Sequence, residues 1–276
     1  MPDFCIINKA SKDAKKYRYM HLIEAQKISK SFKSSLFENG ELLVVNDFSL
    51  SVHEGELVTL FGPNGCGKTT ILNLLAGTIK PDNGRVSWNP GESWSREVGY
   101  VFQNYGDTLL PWRSVRANIA FPLEIRKATE KEIEEKTARV LNLFGLSEHS
   151  DKYVYELSGG LKQLVAIARS TVYYPRLLLL DEPFSSLDYS ISRMLWTRFR
   201  QFWADSKVTT IFVSHNVDEA VFLGDRVCVM SSRPTRIVAE IAVPFGKERD
   251  LEIVSSQEFF SIRTQVLKAF EEGRNK

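Results

Sequence analysis

The chain has 276 residues, of which 43% are hydrophobic and 25% are charged, and its formal net charge is +2. This length is enough for one large hydrophobic core, while so small a net charge creates no strong field for nucleic acid or an anionic membrane. Its three cysteines, Cys5, Cys66 and Cys228, lack CxxC spacing, which argues against a disulfide framework or a zinc site. No apolar run reaches the roughly 18 residues of a membrane-spanning helix, so at a membrane another chain would supply those helices.

Residues 1–19 are predicted to be a flexible N-terminal extension, in which basic side chains outnumber acidic ones. From residue 20 onward, short apolar runs alternate with segments of helical periodicity. This alternation predicts βαβ units and a parallel sheet with flanking helices. The predicted strands are 42–50, 57–61, 98–102, 177–180 and 208–213, and the predicted helices are 71–76, 130–144, 161–170, 190–203 and 257–270.

A glycine-rich segment that fits the pattern GxxxxGK[ST] follows the strand at 57–61 and opens a helix, which is the context this motif requires. Its glycines let backbone N–H groups curl round phosphate oxygens, and the helix N-terminus adds partial positive charge. In such loops the lysine reaches the β- and γ-phosphates and the hydroxyl ligates Mg²⁺. The predicted phosphate-binding residues are Gly62, Pro63, Asn64, Gly65, Cys66, Gly67, Lys68, Thr69 and Thr70.

Two acidic residues, Asp181 and Glu182, follow the apolar strand at 177–180. Ligands of open parallel sheets bind at the carboxyl ends of the strands, so both carboxylates are expected beside the phosphate loop. We predict that Asp181 holds Mg²⁺, directly or through water. Glu182 is placed to accept a proton from an attacking water.

A second candidate anion site precedes the helix at 161–170, where Ser158, Gly159 and Gly160 follow a leucine and come shortly before Gln163. At this segment the chain resembles the ABC ATPase family, whose LSGG signature it matches. The resemblance covers nearly the whole chain from Met20 onward. Four more positions match family motifs. Gln103 matches the Q-loop glutamine, and Asp188 matches the end of the D-loop, which begins at Ser185. His215 matches the switch histidine, and Phe32 matches the aromatic residue that stacks on adenine.

The resemblance implies a fold, a set of cofactors and an assembly. The implied fold is an α/β P-loop core with an antiparallel β-layer near the N-terminus, and an inserted helical subdomain at about 104–165 within a nucleotide-binding domain of residues 20–276. The implied cofactors are ATP and Mg²⁺. Two copies would form a head-to-tail dimer in which each ATP lies between one phosphate loop and the partner's Ser158 and Gly160.

Roles for individual residues follow from the same resemblance. The implied catalytic residues are Glu182, His215 and Gln103, and the implied metal ligands are Thr69, Gln103 and Asp181. Nucleotide contacts are further implied for Phe32, Ser158, Gly159, Gly160, Gln163 and Asp188. Two positions depart from the family pattern, Leu164 where arginine is usual and Asn216 where aspartate is frequent. We expect these departures to affect rate and local packing.

Three function classes compete: an importer motor paired with separate permeases, a non-transport ABC ATPase acting on DNA or ribosomes, and a P-loop kinase. The single set of motifs and the lack of sustained heptads disfavour the second class, and the LSGG segment disfavours the third. Three segments resemble the nitrate/sulfonate/taurine importer group: Pro111 with Trp112, the pair Arg233-Pro234, and the stretch that begins at Asp218.

Membership of this importer group implies partners and a location. The partners would be a second copy of the chain, integral membrane permease subunits and, indirectly, a solute-binding protein, with no nucleic acid. The chain would lie peripherally on the cytoplasmic face of the cell membrane. We place a permease contact at Pro111 and Trp112. A separate hypothesis concerns Cys66, whose thiolate would be favoured by the helix N-terminus and Lys68, so that ATP should protect it from alkylation.

Overall fold

The computed structural model describes residues 21–33, 40–89, 97–185 and 187–274, so the predicted extension at 1–19 lies outside the described residues. Strands and helices alternate along most of this part of the chain. None of its helices is both long enough and apolar enough to cross a lipid bilayer. In chain order the elements are β1 His21–Lys33, β2 Glu41–His53, β3 Leu57–Phe61, α1 Lys68–Leu75, β4 Asn83–Trp88, β5 Val98–Val101, α2 Val115–Ile125, α3 Glu130–Leu143, α4 Gly159–Thr171, β6 Leu177–Asp181, α5 Tyr189–Ser206, β7 Thr209–Ser214, α6 Val217–Leu223, β8 Arg226–Met230, β9 Ile237–Ala242 and α7 Gln257–Arg274.

The central sheet has six strands in the order β5-β6-β7-β3-β8-β9. Its first five strands are parallel, and β9 pairs antiparallel with β8 at one edge. Every residue of β3, β6 and β7 is buried, because helices or the second sheet cover both faces. This explains why these strands read as continuous apolar runs in the sequence. The predicted parallel sheet is confirmed.

Two hydrophobic clusters lie on opposite faces of the central sheet, and β6 contributes to both. Leu178 and Leu180 belong to one cluster, whereas Leu177 and Leu179 belong to the other, as the alternation of side chains along a strand requires. The first cluster includes apolar residues of α2 to α7. The second joins α1 to a three-stranded antiparallel sheet of order β2-β1-β4, which confirms the predicted antiparallel layer.

Helices α2 and α3 lie between β5 and β6, where the helical subdomain is predicted. The N-cap of α2 is Ser114, whose hydroxyl accepts a hydrogen bond from the N–H of Ala117, and α3 begins after a reciprocal capping box between Thr129 and Glu132. Residue 165 falls inside α4, which runs on to Thr171. The subdomain boundaries at 104–165 stay a prediction.

Candidate functional site

The phosphate loop connects β3 to α1 at the carboxyl edge of the central sheet. Gly65 and Gly67 have φ angles of 73° and 121°, a left-handed region that favours glycine. The first hydrogen bond of α1 runs from the Ile71 N–H to the Gly67 carbonyl at 3.0 Å. The N–H groups of residues 68–70 precede this bond and therefore have no acceptor within the helix. Together with the partial positive charge of the helix end, they form an anion site.

The Lys68 side chain is 5% exposed and lies across the base of the loop. Its ammonium donates hydrogen bonds to the carbonyl oxygens of Gly62 and Pro63, each at 3.0 Å, and lies 3.2 Å from Oε1 of Glu182. Three oxygen partners fix the position of the cation. The structure thus brings Lys68 of the phosphate loop into contact with Glu182, which follows β6, as the sequence predicts.

Thr69 and Asp181 form the next contact along the cleft. The Thr69 hydroxyl donates a hydrogen bond of 2.7 Å to Oδ2 of Asp181, which is the last residue of β6. Burial raises the pKa of Asp181, and the nearby Glu182 carboxylate raises it further, whereas the Thr69 hydrogen bond and Lys68 lower it. A hydroxyl and a carboxylate in contact beside a phosphate site match the oxygen ligands that Mg²⁺ takes, with the phosphates completing its shell.

Glu182 adopts a left-handed backbone conformation with a φ angle of 50°. For a non-glycine residue this conformation costs on the order of 1–3 kcal/mol, and such strain clusters at functional sites. It is held by the hydrogen bond from the Glu182 N–H to the Val213 carbonyl at 3.1 Å. The side chain reaches His215, whose Nδ1 lies 2.8 Å from Oε2. One carboxylate therefore contacts the lysine of the phosphate loop and the histidine after β7.

Lys68, Thr69 and Glu182 line a common cleft of about 550 Å³. Phe32 lies at its mouth, 39% exposed, and Gln103 reaches it from the segment after β5. The residues that line the cleft are Phe32, Leu42, Val44, Asn64, Gly65, Gly67, Lys68, Thr69, Thr70, Gln103, Glu182 and Arg233.

The LSGG residues lie elsewhere in the chain. Ser158 caps the N-terminus of α4 by accepting a hydrogen bond from the Leu161 N–H at 3.4 Å, and a Cβ at Gly160 would lie 2.6 Å from Leu187. Neither residue is among those that line the nucleotide cleft in the described part of this chain. Their predicted nucleotide contact, like that of Gly159, stays a prediction.

Two further sequence-based assignments have a definite place in the structure. Gln163 is buried in α4, and Asp188 is exposed at the N-cap of α5. Their predicted nucleotide contacts stay predictions. Ser186, part of the predicted D-loop, lies outside the described residues. Both positions that depart from the family pattern have local partners. Leu164 packs in the first hydrophobic cluster, and Asn216 caps α6 by accepting hydrogen bonds from the N–H groups of Asp218 and Glu219.

The hypothesis of a reactive thiolate at Cys66 is wrong. The side chain is 2% exposed, and burial raises the pKa of its thiol, although Lys68 and the Thr235 hydroxyl act in the opposite direction. The sequence shows only the neighbouring lysine, which would lower the pKa. It does not show that the fold would bury the sulfur within the second hydrophobic cluster.

Arg233 lines the nucleotide cleft, although no sequence motif predicts a role for it there. Its guanidinium donates a hydrogen bond to the carbonyl of Gly65, and the Thr235 hydroxyl donates to the carbonyl of Cys66. The loop between β8 and β9 is thereby attached to the phosphate loop. The pair Arg233-Pro234 drew attention only as part of a family resemblance, and the separation of 168 residues from Gly65 left no local signal for this contact.

This fold and this cleft define a P-loop nucleoside triphosphatase. The chain belongs to the ABC transporter family, because the ABC transporter family model matches residues 45–185, about half of the chain. It is an ATP-binding and ATP-hydrolysing subunit of that family.

Several curated relatives align with most of the chain. An uncharacterized ABC transporter ATP-binding protein of Methanocaldococcus jannaschii, MJ0412, is 37% identical over 89% of this chain and 90% of its own length. The nitrate import ATP-binding protein NrtC of Synechococcus elongatus is 38% identical over 85% of this chain, which spans 36% of that longer protein. The taurine import ATP-binding protein TauB of Yersinia pestis is 37% identical over 83% of this chain and 92% of its own length.

Solved structures agree on the fold. The dimeric cassette MJ0796, a bacterial ABC transporter cassette, superimposes with a TM-score of 0.71 at 24% identity and covers 81% of this chain and 100% of its own. The cbiO1 protein of Clostridium perfringens, part of the ABC transporter complex cbiONQ, gives a TM-score of 0.72 at 22% identity over 91% of this chain and 98% of its own.

Proposed function

We propose that this chain is the ATP-hydrolysing motor of an importer that takes up a small solute such as nitrate, a sulfonate or taurine through separate permease subunits. The observation that carries the proposal is the Glu182 carboxylate, which lies 3.2 Å from Lys68 and 2.8 Å from His215 at the edge of the sheet. The solute class is supported by the names of the nitrate and taurine import relatives.

The chemistry assigned to each residue follows from its contacts. Lys68 supplies a fixed cation for the β- and γ-phosphates, since its position is set by two carbonyl oxygens and one carboxylate. Glu182 accepts the proton of the attacking water. His215 holds the Glu182 carboxylate from the side opposite Lys68. Phe32 offers an aromatic face to adenine at the mouth of the cleft.

Thr69, Asp181 and Gln103 would hold Mg²⁺. The first two are in contact, and Gln103 lines the same cleft. Within the described residues no cluster of three or more histidine, cysteine or acidic side chains could hold a metal alone, which suits an ion whose remaining ligands are phosphate oxygens and water. When bound, Mg²⁺ neutralises charge on the β- and γ-phosphates.

The working unit in this proposal is a head-to-tail dimer. Ser158 and Gly159 are exposed at the N-terminus of α4 and Asp188 is exposed at that of α5. They lie outside the cleft of their own chain, as a contact with the partner's nucleotide requires. The dimeric state of the MJ0796 cassette, which shares the fold, supports this arrangement.

A second cleft, of about 440 Å³, is the proposed seat of a cytoplasmic helix of the permease. It lies between β5, α2 and α4, with Phe121 and Ile125 on one wall and Arg126 and Arg169 beside them. Ile125 is 63% exposed. The apolar wall and the two cations of this second cleft suit a helix that has an apolar face and acidic side chains. The segment that carries Gln103 continues into this cleft at Thr108, which accepts hydrogen bonds from Arg169. The two clefts are therefore joined by one stretch of chain.

The proposal is tested by recovering the chain with its partners from native membranes, identifying the co-purified permease and solute-binding protein, and measuring ATP-dependent uptake in proteoliposomes. Trp112→Ala removes a side chain that is 71% exposed after this stretch and should reduce co-purification while basal ATPase persists. Phe260→Ala, which removes an exposed aromatic from α7, is the matched control. Recovery of DNA or ribosomes in place of a permease would refute the importer role.

A further inference from the structure

Glu219 is a buried carboxylate at the start of α6, just beyond the switch histidine. It is 5% exposed, and both of its oxygens have donors. Oε1 accepts a hydrogen bond of 2.9 Å from the indole N–H of Trp196 on α5, and Oε2 accepts one from the hydroxyl of Ser214 at the end of β7. A single side chain thus ties together α5, β7 and α6.

These contacts determine the geometry of the turn that carries His215. The Ser214 hydroxyl, besides contacting Glu219, accepts a hydrogen bond of 2.9 Å from the Asn216 N–H. The Asn216 side chain in turn accepts from the Glu219 N–H at 3.3 Å. His215 lies between these two anchored residues, and its side chain is 43% exposed. In the described part of the chain, the hydrogen-bond contact of the imidazole is the one with Glu182.

We propose that Glu219 is a positioning residue for ATP hydrolysis: through Ser214 it fixes the turn that holds His215 against Glu182. The inference rests on the roles proposed above for Glu182 and His215. It assigns a part in catalysis to a residue that touches neither the nucleotide nor the phosphate loop. Trp196 contributes to the same positioning, because its indole N–H donates to the other carboxylate oxygen of Glu219.

The protonation of Glu219 gives a readout that a merely structural residue would lack. Burial raises its pKa to about 7, the Ser214 and Trp196 hydrogen bonds lower it, and the Glu182 carboxylate raises it. Other charged groups near α6 are engaged elsewhere, Asp218 with Arg263 at 2.7 Å and Arg200 with the Leu223 carbonyl and Asp225. An ionised Glu219 accepts from both partners, whereas the neutral acid must donate one bond. The geometry at Ser214 therefore changes near neutral pH.

The test compares Glu219→Ala, Glu219→Gln and Trp196→Phe with the control Asp218→Ala, which changes the neighbouring position of the same helix turn. We expect Glu219→Ala to lower kcat by about tenfold or more, with the dissociation constant of Mg-ATP changed less than about twofold. Trp196→Phe should lower kcat more mildly. The amide of Glu219→Gln accepts from Trp196 and donates to Ser214, so it should restore most turnover and abolish any kcat titration near pH 7.

Two results would overturn the inference. One is wild-type kcat and an unchanged pH profile in Glu219→Ala. The other is a parallel loss of Mg-ATP affinity, kcat and melting temperature in Glu219→Ala and Trp196→Phe, which marks a structural role. If Glu219→Ala does not fold, Trp196→Phe and Glu219→Gln decide by the same measures. His215→Ala distinguishes failure of the proposed function from failure of this inference. Wild-type turnover in His215→Ala would refute the proposed role of the histidine. Lost turnover in His215→Ala together with wild-type turnover in Glu219→Ala would refute only the positioning role of Glu219.

Discussion

Glu182 contacts His215 through one carboxylate oxygen, with Nδ1 of the imidazole 2.8 Å from Oε2, and leaves its other oxygen 3.2 Å from Lys68. The carboxylate is therefore held on both sides, and its orientation does not depend on its own rotamer preference. This matters because Glu182 follows the end of β6 in a left-handed backbone conformation that few side chains adopt. The proposed base is fixed before any substrate binds.

Glu182→Gln should bind Mg-ATP with nearly wild-type affinity and hydrolyse it at least about 100-fold more slowly. Glutamine keeps the shape of the side chain but cannot take a proton as a base. The measurement is nucleotide affinity by equilibrium binding together with steady-state ATPase. Glu148→Gln, at an exposed position, is the matched control. Wild-type turnover in Glu182→Gln would remove this residue from the role of base.

The same variant reports on assembly, because unhydrolysed ATP should hold two chains together. Size-exclusion chromatography with light scattering should show a dimer of Glu182→Gln with ATP and a monomer with ADP or without nucleotide. Adding Ser158→Arg should restore the monomer, since a bulky cation at the N-cap of α4 obstructs the interface. An ATP-bound dimer that tolerates Ser158→Arg would contradict the proposed contact in trans.

Lys68→Ala should abolish measurable ATPase and weaken ATP binding by about 10- to 100-fold. It removes the buried cation at the phosphate loop, and charge-assisted hydrogen bonds contribute about 1.5–3 kcal/mol each. Lys80→Ala, at an exposed position beyond α1, is the control for loss of a lysine. Isothermal titration and a phosphate-release assay provide the two numbers, and retention of turnover would exclude the loop from the mechanism.

Arg233→Gln should weaken ATP binding by about fivefold, the effect of about 1 kcal/mol that an exposed charge contributes. Its guanidinium lines the nucleotide cleft and donates to Gly65, so it adds a second cation near the polyphosphate. Arg236→Gln removes an exposed charge from the same loop and serves as the control. The affinity ratio of ATP to AMP should fall in Arg233→Gln alone, and equal losses for ATP and AMP would argue against a phosphate contact.

Cys66 should react slowly with a maleimide in the folded chain, with or without Mg-ATP, because its thiol is buried and its pKa is raised. Ser232→Cys, at an exposed position on the facing loop, provides a reactive reference. Peptide mapping after timed labelling gives both rates. Fast labelling of Cys66 that ATP suppresses would restore the reactive-thiolate hypothesis.

Arg249→Met should destabilise the fold by about 3 kcal/mol or more. The buried guanidinium donates to the carbonyl oxygens of Val221, Phe222 and Gly224 at the end of α6, and methionine would leave them without these bonds. Arg116→Met, at an exposed position of α2, is the matched control. The urea midpoint of unfolding should fall for Arg249→Met only; equal midpoints would show that water replaces the lost donors.

Much of the site was predictable because its signals are local. The phosphate loop is recognisable within a few residues by its glycine spacing. The two acids at the end of β6 are recognisable by an apolar run that ends in charge. The sheet edge then brings them together, as parallel topology requires. The parallel sheet was predictable for a similar reason, since its buried strands are continuous apolar runs.

The remainder depends on contacts between distant segments. Strand β1 contains charged residues throughout, and its pairing with β2 and β4 was not visible from periodicity. The burial of Glu219 depends on Trp196 from another helix, and the position of Arg233 depends on a loop that crosses to Gly65. Cys66 shows the same limitation: the nearby lysine in the sequence favours a thiolate, whereas burial in the folded chain raises the pKa and favours the thiol.

Because Glu182 has a left-handed backbone conformation, fold stability and catalysis favour different residues at this position. Glycine would adopt this backbone without strain, whereas glutamate is held there at a cost of about 1 kcal/mol or more. Selection for heat resistance alone would thus favour glycine at this position, and it would discard the carboxylate that faces Lys68 and His215. A thermostable version of this chain must therefore be sought at positions away from the end of β6.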